Sequence, residues 1–237
     1  MRDKLHFSDA LLLFPLVFLL AYGNRFLYLP SALYSDLTIS HYPNLLFLRR
    51  SLLTWGQIPL WSPAILGGFP FAANPISGLW YPPGWLALVL LTPFGFNLLA
   101  GLHLAWGATG MYSLLRCQRL SRPAALLGGL AFGLLPKLFA HYGAGHLTLV
   151  YAVPWTPWLL LAQEKPRRAF QPGVVLAVIF FADVRWAAFA GVLWLAWTIA
   201  HSQLNRNPGM SRYEGVRGAR HPAHPHIWEP PRQFPKS

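Results

Sequence analysis

Apolar stretches of near-spanning length recur along this chain from Leu11 to Ala200, and no other feature constrains its fold as much. Crossing the hydrocarbon core of a bilayer takes about 20 apolar residues in a helix. One soluble core does not account for so many such stretches. Of the 237 residues, 54% are hydrophobic and 11% are charged, whereas soluble domains carry about 25% charged residues. Membrane lipids are therefore the first partners expected of this chain.

The net charge of +12 raises the question of nucleic acid. The Lys and Arg residues, however, fall between and after the apolar segments, as in loops that face anionic cytoplasmic lipid. No nucleic-acid recognition module is visible, so no nucleic acid is expected as a partner. Cys117 is the single cysteine, which excludes an internal disulfide and a Cys-based zinc site. Beside Arg116 and Arg119 it reads as a small packing residue at a helix end.

The first apolar segment runs from Leu11 to about Leu29, with Gly23, Asn24 and Arg25 interrupting it. Ala21-Tyr22-Gly23 has the small-x-small form of a signal-peptide cleavage site, but an uncleaved helix is the preferred reading. Either way, the residues after this segment lie outside the cytoplasm. Residues 30 to 80 hold Pro30, Pro43, Pro59, Pro63, Pro70, Pro75 and the Gly67-Gly68 pair, and read as a structured external loop. Inside it, Pro43 suits a first helical turn, Leu45, Leu48, Leu52 and Trp55 recur at helical spacing, and Gly56 suits a stop. This predicts a short amphipathic helix lying in the membrane interface.

Further apolar segments occur at about 84 to 95, 97 to 115, 123 to 140, 147 to 162, 172 to 182 and 186 to 200. Arg116, Arg119 and Arg122 mark one connection as cytoplasmic, and Lys165, Arg167 and Arg168 mark another; Tyr142 to His146 is then external. An odd number of crossings must join the loop at residue 75 to the one at residue 116. Residues 84 to 95 are expected to enter without crossing, since as a helix they reach only about 18 Å of a core about 30 Å thick. The expected fold class is all-α, a polytopic transmembrane bundle of five to seven helices over residues 1 to 202, with its external loop carrying the interfacial helix. From Gln203 onward a basic, Pro- and His-rich tail, 203 to 237, is expected to be disordered. His221, His224 and His226 in that tail read as incidental rather than as metal ligands.

The chain has seven carboxylates, so elimination is informative. Asp3 and Asp9 flank the first helix on its cytoplasmic side, Glu164 lies among cytoplasmic basic residues, and Glu214 and Glu229 are in the tail. Asp36 and Asp183 remain, both on the outer side, where an ionisable residue at the membrane margin is a functional candidate. Asp36 reads equally well as a turn or helix-start residue in Tyr34-Ser35-Asp36-Leu37-Thr38. For Asp183, an ion pair with Arg185 on a turn is the favoured alternative. Arg25, Arg49, Arg50, Lys137 and Arg185 are the cations able to face an outer site. Lys137 interrupts the apolar run from Leu134 to Phe139, so it either snorkels or pairs with something negative such as a lipid phosphate. His41, His141 and His146 read as hydrogen-bonding interfacial residues. No metal-protease, phosphate-loop, dinucleotide or nucleophile-elbow motif appears, and no D-x-D pair in the loop calls for a divalent metal.

Asp36, His41-Tyr42-Pro43, Gly56-Gln57-Ile58-Pro59-Leu60-Trp61-Ser62-Pro63, Gly67-Gly68-Phe69-Pro70 and Tyr81-Pro82-Pro83 resemble the first external loop of YfhO-like bacterial membrane proteins. Those proteins belong to the GT-C superfamily of lipid-dependent glycosyltransferases. Gly145-His146 with Pro154-Trp155-Thr156-Pro157-Trp158 is similar to a second stretch of that family, and the likeness covers roughly residues 8 to 200. Because family members are longer and have more helices, the resemblance is to their N-terminal part, as in a truncated form. It implies a multi-pass protein of the bacterial cytoplasmic membrane with an active site on the extracytoplasmic face. It also implies a polyprenyl-phosphate sugar as donor and Asp36 at the position of the catalytic acidic residue; no cofactor is expected, a divalent metal being the disfavoured alternative. Lys137, Arg49, Arg50, His41, His146, Asp183 and Arg185 are then the candidate substrate contacts. A transporter or flippase component for a lipid-linked substrate, and a non-catalytic membrane fragment, are the competing expectations.

Overall fold

The computed structural model describes residues 7–22, 35–64, 67–90, 94–164 and 168–206. Gly23-Asn24-Arg25, the loop cations Lys165 and Arg167, and the tail from residue 207 on lie outside the described residues. The chain divides into two units, residues 1–197 and 198–237. Of the second, the described part is the last turns of a helix that begins at Val184.

Among the described residues the chain is helical, and its nearest approach to a sheet is an isolated antiparallel bridge between Ser62 and Phe69. At its centre stands α4, Phe94–Cys117, whose buried residues include Phe96, Leu99, Ala100, Leu104, Ala108 and Tyr112 and so lie on every face of the helix. A helix apolar all round must be covered all round, and α1 (Phe7–Tyr22), α5 (Arg122–Gly133), α7 (Leu147–Ala152) and α8 (Thr156–Glu164) pack around it. Small residues let α1, α4 and α5 come close. A Cβ on Gly129 would stand 2.8 Å from Leu13 Cδ2 and 2.9 Å from the Ala108 carbonyl oxygen.

Two helical stretches among the described residues are long and apolar enough to cross a membrane: Phe94–Cys117 and Arg122–Gly143. Over the apolar segment expected at about 123 to 140, the second stretch breaks between α5 and α6, Pro136–Gly143. Pro136 has no N–H to donate, and it holds Leu135 in an extended conformation. The segment expected at 147 to 162 is broken by the 3₁₀ turn Val153–Trp155, with Pro154 in the turn and Pro157 opening α8. Residues 84 to 95 hold a 3₁₀ turn, Pro82–Trp85, and the single-turn helix α3, Leu86–Val89. A helix at 172 to 182 was expected and α9 is Gln171–Ala182; α10, Val184–Arg206, includes the expected 186 to 200.

The loop helix α2, Tyr42–Leu53, opens with Pro43 in its first turn, but the leucines of its apolar stripe face inward, while Trp55 beyond its end is exposed. Leu48 is buried against Phe71, Leu79 and Leu88, with Leu45 and Leu52 packed on the same cluster. Phe47 meets Phe71 edge to face at 5.0 Å. Leu45, Leu48 and Leu52, read as part of a lipid-facing stripe, therefore build a small core of the loop's own. Helical period alone does not distinguish lipid from protein as the apolar partner.

At the Cys117 end of α4 the structure buries Asp9, which the sequence had placed as a flanking residue. Its side chain is 0% exposed, accepts a hydrogen bond from Tyr112 Oη at 2.5 Å and pairs with Arg122. This ties α1, α4 and α5 together. Removing one member of a buried pair costs about 3–5 kcal/mol because the other charge is left uncompensated. Arg122 is about half exposed, and water can take over its charge. Arg122→Gln is therefore expected to lower thermal stability in detergent markedly and Asp9→Asn much less. Equal losses would show that the pair acts only by shape.

Candidate functional site

The opposite end of α4 gathers most of the singled-out residues. Ser35 and Asp36 lead into a π-helical turn, Leu37–His41, that continues into α2. The carboxylate of Asp36 stands at the start of this turn without capping it. Its side chain is 63% exposed and lies 3.7 Å from His146 Nε2, an ionic rather than a hydrogen-bonding distance.

The approach depends on Gly145. The turn after α6 places Gly145 at φ +88, and a Cβ there would collide with Leu37 N and lie 2.7 Å from Asp36 N. Only glycine combines that backbone with that contact. His146 comes next, and its Nδ1 is 3.0 Å from His141 Nδ1, so that one of these two nitrogens carries the shared proton. Lys137 is exposed one helical turn before His141, about 6 Å along α6. Asp36, His146, His141 and Lys137 therefore form a sequence of neighbours, although Asp36 and Lys137 do not touch.

His41 is buried among Asp36, His146, Asp183 and Arg185. Burial pushes its pKa down to about 4, with the charges of Arg185 and His146 acting in the same direction against those of Asp36 and Asp183. Asp183 is committed elsewhere. Its Oδ1 accepts the backbone N–H groups of Arg185 and Trp186, capping α10, and its Oδ2 accepts Thr148 Oγ1 at 2.7 Å and Arg185 Nη2 at 2.9 Å. Burial raises its pKa, but the bonds from Arg185, Thr148 and Trp186 outweigh that and hold it below the ordinary value. The turn ion pair weighed for Asp183 is thus present, and Arg185 extends from it with 69% of its side chain exposed.

Arg49 and Arg50 are not brought into this group. They sit about 12 Å along the helix from His41, and the Arg50 guanidinium stacks over Trp55 at 5.1 Å.

Beside His41 a small cavity of about 50 Å³ opens between the loop and the bundle, lined by Tyr81, Trp85, Thr148, Tyr151 and Phe181 among others. A hydrogen-bond network the sequence did not reveal runs into the bundle from Tyr81, one of the cavity's lining residues. His103 Nδ1 lies 2.7 Å from the Leu99 carbonyl oxygen, which can only accept, so Nδ1 carries the proton of the neutral ring. Nε2 then accepts from Tyr81 Oη at 2.7 Å, and Tyr81 accepts from Trp155 Nε1 at 2.8 Å. Nearby, Tyr142 Oη donates to Asn97 Oδ1 at 2.6 Å. A lone His103 in an apolar helix, with tyrosine and tryptophan distant in sequence, was the only signal for this network. No three His, Cys, Asp or Glu side chains among the described residues converge as metal ligands.

No family model, curated protein or solved structure matches the chain.

Two outcomes are expected of this geometry. Gly145→Ala should lower stability by about 1–3 kcal/mol, the cost of a strained backbone conformation. Gly143→Ala, where a Cβ meets nothing within 4 Å, serves as the benign comparison in thermal denaturation. The folded protein holds His41 neutral down to about pH 4, whereas an unfolded chain protonates it near 6.5. Unfolding therefore takes up a proton between those values. This contribution to stability is complete above pH 6.5 and is lost as the pH falls toward 4, amounting to on the order of 3 kcal/mol. Melting curves of wild type and His41→Gln across that range check it, and the variant should show the flatter dependence.

Proposed function

We propose that this chain is a multi-pass protein of the bacterial cytoplasmic membrane, with the Asn97 end of α4 outside and a GT-C-type glycosyl-transfer site at that end. Two membrane-length helical stretches and the grouping of Arg116, Arg119 and Arg122 at the Cys117 end support this orientation through the positive-inside bias. The donor is a polyprenyl-phosphate sugar, as the resemblance to YfhO-like proteins suggests.

The state of Asp36 carries the reading. Asp9 is buried in an ion pair and Asp183 caps a helix, whereas Asp36 is largely exposed, caps nothing, and faces a histidine. In the reaction proposed, its carboxylate takes the proton of an acceptor hydroxyl, whose oxygen attacks the anomeric carbon. The bond from that carbon to the phosphate oxygen breaks, and its electron pair leaves with the phosphate. A phosphate departs as a stabilised anion and needs no second carboxylic acid, unlike the leaving group in glycoside hydrolysis. Arg185 and Lys137 are the cations placed to meet it. Arg49 and Arg50 are left out of this role by their position on α2.

Asp36→Asn keeps size and polarity but removes the base. Transfer from polyprenyl-phosphate hexoses in proteoliposomes is expected to fall by about 10²-fold or more with the inserted yield unchanged, and full transfer by this variant would remove Asp36 from the role.

A further inference from the structure

The stretch 51–115 contains no Asp, Glu, Lys or Arg, and its first part is loop rather than transmembrane helix. An aqueous loop of that length carries charge on its surface; soluble chains average about one charged residue in four. Here the surface positions hold large apolar side chains instead. Ile58, Leu60, Trp61, Trp80, Trp85 and Val89 are all exposed. The loop is nonetheless folded, because the buried cluster of Leu48, Phe71, Leu79 and Leu88 gives it a core. These exposed side chains are therefore apolar surface beyond what stabilises the loop.

The tryptophans show what that surface meets. Trp80 Nε1 donates to the Ala72 carbonyl at 2.7 Å, and Trp85 Nε1 is shared between the carbonyls of Gly78 at 3.2 Å and Leu79 at 3.1 Å. With their N–H groups bonded inward, these indoles present ring carbon to the outside. A protein partner recognised by charge finds nothing to pair with here. An interfacial lipid layer asks only for uncharged, aromatic-rich surface. The loop is also joined in sequence to the membrane-length helix Phe94–Cys117.

We infer that the exposed side chains of Ile58, Leu60, Trp61, Trp80, Trp85 and Val89 are seated in the outer-leaflet interface, so that the loop lies in the membrane surface through these residues rather than through the inward-turned leucines of α2. The inference rests on the membrane placement proposed above and is independent of the glycosyl-transfer chemistry.

The test uses the full chain in lipid nanodiscs with Cys117→Ser and single cysteines at Ile58, Leu60 or Leu127, each carrying an environment-sensitive fluorophore. Leu127 is an exposed position on α5, inside the second membrane-length stretch. The labels at positions 58 and 60 are expected to emit to the blue and to be quenched several-fold more by nitroxide placed shallow in the lipid than by aqueous iodide. The label at 127 is expected to respond to deep nitroxide. If position 127 responds to lipid while 58 and 60 respond to iodide, the loop is aqueous and the inference fails on its own. Positions 58 and 60 shielded from both quenchers, together with intermolecular cross-linking, would assign the face to a second copy and overturn it. Iodide quenching at all three would overturn the membrane placement itself.

Discussion

The all-round burial of α4 is the constraint on which the other elements depend. Its buried face includes glycine, alanine, leucine and tyrosine but no charged residue, so it must be surrounded, and helices of unequal length supply the cover. Broken helices serve because they follow its surface. Pro154 rests on Gly107 and Trp158 on Gly110, so α8 and the turn before it run alongside α4 in the same direction. A buried donor or acceptor left unbonded costs about 1–3 kcal/mol, and several polar groups that enter this core bring partners, although Tyr151 Oη and Trp106 Nε1 do not. His103 brings Tyr81 and Trp155, and Asn97 brings Tyr142. These pairs lie toward the Asn97 end and fasten the loop segment around Tyr81 to the bundle.

The same rule sorts the charges. A carboxylate deep in the structure is tolerated only when it is paired and hydrogen-bonded, and both deep ones are: Asp9 through Arg122 and Tyr112, Asp183 through Arg185, Thr148 and two backbone N–H groups. Each thereby becomes a clamp. Asp9 holds α1 to α4 and α5, and Asp183 fixes the sharp junction between α9 and α10 beside Thr148 of α7. Groups committed in this way are poor proton acceptors, because protonating them would cost the bonds they hold.

Much of this was legible in the residues. The apolar runs marked most of the helical segments, and Asp183 with Arg185 two residues on suggested the turn ion pair. Less legible were features that depend on distant partners. Asp9 reads as a flanking charge until Tyr112 and Arg122 are seen beside it, more than a hundred positions away in sequence. The stripe of α2 has the period of an interfacial helix, and only the placement of Phe71 and Leu79 shows that protein covers it. Arg49 and Arg50 carry the right charge for an anion, but helical rise separates them from His41, and composition does not report that distance.

What remains at the Asn97 end is a division of labour set by exposure. His41 is neutral because burial denies it a proton, and it therefore brings a hydrogen-bonding ring without adding a charge next to Asp36. His146 is held by the Gly145 turn with its Nε2 3.7 Å from the Asp36 carboxylate, too far for a hydrogen bond. Arg185 keeps its positive charge whether or not a substrate is present, with Asp183 fixing its guanidinium while most of the side chain stays open. A general base needs to be ionised, reachable and not already bonded. Of the two carboxylates at this end, Asp183 fails the third condition. For the transfer proposed above, Asp36 is therefore the carboxylate at this end that the fold leaves uncommitted, a narrower ground than elimination along the sequence, where Asp183 could not be set aside.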